Sequence, residues 1–83
     1  MNFLRRLHKD FNGHRFAARP FVNRETGEIF RQFGIDRRWT EISFSVDKAL
    51  NAFSNFGSTY SDILYSTIKK EIKEYLDESQ KTV

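Results

Sequence analysis

Apolar side chains recur at Tyr60, Ile63, Leu64, Ile68, Ile72, Tyr75 and Leu76. With a repeat of about 3.6 residues, they form a stripe along one side of a helix of roughly five turns. A chain of 83 residues has room for a single core. The longest amphipathic helix must therefore cover whatever the remaining residues build. Ser58 or Thr59 starts it, and Asp77 and Glu78 put negative charge at its negative pole, which predicts a helix over 59–78 and a frayed tail over 79–83. With no cysteine, neither disulfides nor thiolate metal sites can assist. Packing has to suffice, and nine Phe, three Tyr and Trp39 supply much of the area.

The remaining residues predict a sheet for that helix to cover. Asn23-Arg24-Glu25-Thr26-Gly27-Glu28 joins two apolar runs, with a side-chain acceptor at its start and a glycine near its end, the chemistry of a hairpin turn. Strands are expected near 15–23 and 28–35, with Pro20 confining the first to a sheet edge. An even-numbered loop puts Ala18, Pro20 and Val22 on one face with Ile29, Phe33 and Ile35. Arg15, Arg19 and Phe21 then share the other face with Phe30 and Gln32. An odd loop would reverse one strand. Arg31 falls on the apolar face in the preferred register and is expected to snorkel at the edge. Residues 34–38 read as a polar connection. Ile42, Phe44 and Val46 then alternate with polar residues as a third strand.

Two shorter helices complete the set. Phe3, Leu4, Leu7 and Phe11 recur at helical spacing before Asn12-Gly13, so residues 2–11 read as a helix too short to stand alone. Ser45 or Asp47 can cap a helix with Ala49, Leu50, Ala52, Phe53 and Phe56 on one face, ended by Gly57. The expected fold is α+β in one domain: an N-terminal helix (1–13), a three-stranded antiparallel sheet (14–46), a short helix (47–57) and a long one (59–78), the last two packed on one face of the sheet.

Charge is unevenly distributed. All eight arginines lie in residues 1–38, where nine basic groups meet four acidic ones (+5); residues 39–83 hold five basic and seven acidic groups (−2). A guanidinium binds phosphate or carboxylate through two parallel hydrogen bonds and stacks on rings, which an ammonium does less well. The arginine-rich half therefore reads as a recognition surface. Arg15 and Arg19 are expected beside Phe21 and Phe30 on the outer sheet face, with Trp39 near, an arrangement suited to phosphates and stacked bases. Arg37 and Arg38, joined by Arg24 or by Arg5 and Arg6, form a second basic candidate. The same rings also suit a core roofed by the first helix, and both arrangements remain open here. An uncovered aromatic face would favour a symmetric dimer.

Catalytic chemistry finds no support in the pattern. His8 and His14 lack metal-ligand spacing, Glu71-Ile72-Lys73 lies in a helical pattern, and the glycines are isolated, so no loop cradles phosphate. No enzyme, cofactor or metal is expected. No run reaches the roughly 20 apolar residues of a membrane span. The basic opening over 1–11 is short, holds Asp10 and lacks a cleavage signal. A cytoplasmic, non-enzymatic binding module is expected, its target nucleic acid or, alternatively, an acidic protein surface met by a small inhibitor or adaptor.

Overall fold

A computed structural model describes residues 3–81, with side chains through Ser79. The order is α1 (Phe3–Asp10), β1 (Phe16–Val22), β2 (Ile29–Ile35), β3 (Arg38–Ser45), α2 (Val46–Phe56) and α3 (Ser58–Lys81), the expected α+β arrangement. The three strands pair antiparallel in sequence order. No described helix is long and apolar enough to cross a membrane.

The first hairpin has the even loop. Val22 pairs with Ile29 and Ala18 with Phe33, which keeps the aliphatics on one face. Asn23 sets the turn: its Oδ1 accepts from the Glu25 and Thr26 amides at 2.9 and 3.2 Å, and its carbonyl accepts from Gly27 N at 2.7 Å. Gly27 supplies the positive φ of 75° that closes the loop.

The connection between β2 and β3 is shorter than expected. Gly34 and Ile35 belong to β2, Arg38 opens β3, and only Asp36 and Arg37 form the turn, with φ of 50° and 69°. Two central residues with positive φ match the right-handed twist of the flanking strands. The sequence conceals this because the usual Asn-Gly is replaced by Asp-Arg. Aspartate tolerates the left-handed region, whereas an arginine there costs about 1–2 kcal/mol relative to glycine. Arg37→Gly is accordingly expected to stabilise the fold by about 0.5–1 kcal/mol after the entropy of the unfolded glycine is deducted. Thermal denaturation reads the change, and a lower melting temperature would contradict it.

The core joins Leu7 of α1, Phe16, Phe33 and Ile35 of the sheet, and Tyr65, Ile68 and Ile72 of α3. Phe3 sets its ring edge-on to Phe44 at 5.7 Å and also meets Tyr65, so α1 packs on the same face of the sheet as α3. Asp10 pins the two helices together. Its carboxylate accepts from the Tyr65 hydroxyl at 2.5 Å and lies 3.5 Å from Lys69 Nζ. The Tyr65 hydrogen bond, helped by Lys69, lowers the Asp10 pKa, while burial and then that carboxylate raise the Tyr65 pKa.

Several expected core positions lie outside it. Ile63 is exposed, as are Val22 and Ile29, because the hairpin reaches beyond the helical layer. Arg31 shares their face and is exposed, as snorkelling requires. Although α2 has the expected cap at Ser45, whose Oγ accepts from Lys48 N, and the expected stop at Gly57, it contributes no fully buried residue. Leu50, Phe53 and Phe56 on its apolar face are exposed. Helical geometry also continues in α3 to Lys81, past the expected end near 77. The end-charge penalty of about 0.3–1 kcal/mol is too small to stop a packed helix.

Candidate nucleic-acid interface

With all three helices on one side, the other face of the sheet is bare. The first helix does not roof the aromatic residues, which resolves the choice left open by the sequence. Phe21 is 53% exposed and Trp39 45% exposed. Phe21 sits directly across from Phe30, and the next outward pair is Arg19 with Gln32, joined by a 3.0 Å hydrogen bond from Arg19 Nε to Gln32 Oε1. Beyond that pair, Ala17 faces Gly34, which in turn faces Trp39.

Trp39 comes to lie opposite Gly34 through an irregularity in β3. Between the pairs Gln32 with Ser43 and Gly34 with Trp39, β2 spends one residue and β3 three. Thr40 satisfies the disturbed backbone. Its buried hydroxyl donates to the Phe33 carbonyl at 2.8 Å and accepts from Ile42 N at 3.1 Å, while Gln32 Nε2 donates to the Thr40 carbonyl at 2.7 Å. The extra residues tip Trp39 over Gly34, where a Cβ would lie 3.0 Å from the indole Cε3. Only glycine allows so close an approach. Arg19 completes the arrangement, its guanidinium carbon 4.0 Å from the Trp39 ring centre, a cation–π geometry.

The arginines divide into groups. Arg15 and Arg37 gather with Trp39 around a depression on the outer face, Arg19 borders it through its stack on the indole, and Arg38, paired with buried Ile35, reaches its rim from the strand end and also lines a cleft beside Tyr75 and Leu76 of α3. Asp36 holds Arg15 in register: its Oδ1 accepts from Arg15 N at 2.9 Å, its own amide donates back to the Arg15 carbonyl at 2.8 Å, and its Oδ2 meets His14 Nδ1 at 2.6 Å. These bonds, led by the Arg15 amide, lower the Asp36 pKa. Among the described residues, no carboxylate lies within ion-pair distance of the Arg15, Arg19, Arg37 or Arg38 guanidinium groups. No family, curated protein or solved structure matches this chain.

The remaining arginines do not join this group. Arg24 lies in the loop at the far end of the first hairpin from Arg37 and Arg38. Arg5 and Arg6 belong to α1 on the helical side, where Arg6 lies 3.9 Å from the Tyr65 ring centre and 3.5 Å from Asp62. Of the eight arginines, Arg15, Arg19 and Arg37 lie together on the outer face, with Arg38 at its edge.

A feature missed by the sequence reading borders Trp39 on the other side. Glu41 of β3 and Glu71, Glu74 and Glu78 of α3 line an open cleft with the indole. The three α3 positions recur at helical spacing, but their opposition to β3 depends on tertiary packing. Trp39 therefore divides a cationic zone from an anionic one. His8 rests edge-on to Phe16, and Glu71 and Lys73 flank buried Ile72 on α3. No group of three metal-ligating side chains occurs among the described residues.

Proposed function

We propose that this chain is a non-enzymatic module that binds nucleic acid on the open face of its sheet. Arg15, Arg19, Arg37 and Arg38 neutralise phosphates, Trp39 and the Phe21/Phe30 pair present rings to bases, and Arg24 extends the track to the hairpin tip. The observation carrying this reading is the uncovered sheet face, on which arginines without paired carboxylates adjoin aromatic rings. Arg37 adds support, since a strained arginine at a turn holds its guanidinium outward at a cost to stability. Binding is expected to be weakly sequence-specific because phosphate and ring-face contacts read little sequence. Titrating labelled DNA and RNA at two salt concentrations tests this reading. Affinity absent at low salt, or unaffected by salt, would refute it and leave an acidic protein surface as the target.

Self-association is a second reading, carried by α2 and not by the sheet. Leu50, Phe53 and Phe56 are 64%, 51% and 68% exposed beside an apolar groove formed with Tyr60 and Leu64. Their exposed area is roughly 300–400 Å², about half of what each partner buries in a standard interface. Residues 49–61 contain no charged side chain. That neutrality suits a second copy of this chain, because two-fold contact places like beside like. Sedimentation across a concentration range should show mass rising from 9.9 kDa toward twice that value, with Phe53→Glu abolishing the rise. A wild-type mass that stays at 9.9 kDa would refute the dimer.

A further inference from the structure

We infer that the depression beside Trp39 receives one unstacked base of a single-stranded nucleic acid, a narrowing that rests on the nucleic-acid reading above. Ala17 makes its exposed floor, the Trp39 indole, which lies over the paired Gly34, is a wall, and Arg15, Arg37 and Arg38 stand around it. Its volume is about 300 Å³. The depression exists because Ala17 is small between larger neighbours, the Arg19 and Gln32 pair on one side and the turn on the other, while the indole fills the space above Gly34.

The chemistry of this floor selects the ligand. Ala17 and Gly34 offer no side-chain donor or acceptor, so they cannot read the polar edges by which duplex DNA is recognised in its major groove. The Ala17 methyl and the half-exposed indole can accept a flat apolar face. Guanidinium groups around such a surface call for an anion attached to the planar group, and a nucleotide has both. In a duplex the base faces are hidden by stacking, and extracting one requires unpairing and unstacking. A single strand presents its bases without that penalty. Arg19 on the indole extends the platform, because guanidinium planes also stack bases.

The test compares oligothymidine, an abasic phosphodiester chain of equal length and a duplex of equal length, all at low salt. Oligothymidine is expected to bind about 10-fold more tightly than the abasic chain, from the stacking of a base. Its binding should quench the emission of Trp39, the single tryptophan, whereas the abasic chain should not. Ala17→Leu fills the depression from an exposed position on an edge strand. It should bring oligothymidine affinity down to the abasic value while leaving abasic binding unchanged. Equal binding of the abasic chain, or preference for the duplex, would overturn the base pocket while nucleic-acid binding survived. No binding by any of the three would remove both.

Discussion

Phe33→Ala is expected to lower the unfolding free energy by about 3–5 kcal/mol, the usual cost of truncating a fully buried phenylalanine. Phe33 has no accessible surface, lies on the central strand and meets Phe44 at 6.0 Å between ring centres. A chain of this length has a total stability of about 4–12 kcal/mol, so the substitution removes a large share and leaves many molecules unfolded. Phe21→Ala removes the same atoms from the opposite face of the same sheet. There the ring is 53% exposed, and the expected loss is about 0.5–1 kcal/mol, mainly its cross-strand pairing with Phe30. Urea denaturation followed by circular dichroism measures both variants. Equal losses would mean that helices cover both faces and that no open aromatic surface exists.

The division of β1 and β2 into two faces was legible in the sequence, because the even hairpin loop gathers the aliphatics on one side and that register assigns every side chain of the two strands to a face. Local chemistry could not reveal which face the helices choose. The apolar side of α1 fits either one, and the choice comes from Leu7 and Phe3 meeting Tyr65, Phe44 and their neighbours, contacts between distant parts of the chain. The tight turn after Ile35 was hidden for a different reason. Asp36-Arg37 lacks the glycine that signals positive φ, so the start of β3 was placed late. With the strand start misplaced, the closeness of Trp39 to Gly34 was unreadable, since it depends on two extra residues in β3. The amphipathic pattern of α2 was sound but misleading. Periodicity identifies an apolar face, and tertiary packing decides whether that face is covered.

Replacing Arg15, Arg19, Arg37 and Arg38 together with glutamine is expected to abolish most of the salt-dependent affinity for single-stranded nucleic acid. Each phosphate contact releases condensed counterions and contributes about −0.7 to the slope of log affinity against log salt, so four give about −3. Between 50 and 200 mM salt such a slope weakens binding by about 50-fold, and the quadruple variant should show only a few-fold change. Loss of the fold does not explain that outcome. All four side chains are exposed, no carboxylate is within ion-pair distance of them among the described residues, and losing the Arg19 stack on Trp39 costs about 0.5–1 kcal/mol. Two single variants make the geometry itself testable. Arg24→Gln at the hairpin tip should reduce the slope by about 0.7 if the strand follows β1 to its end. Arg31→Gln, on the helical face of β2 opposite Phe44, should leave it unchanged. If the Arg31 variant lowered the slope as much as the Arg24 variant, binding would follow total positive charge and not the open face. The division of the arginines between the two sides of the sheet would then have no functional meaning.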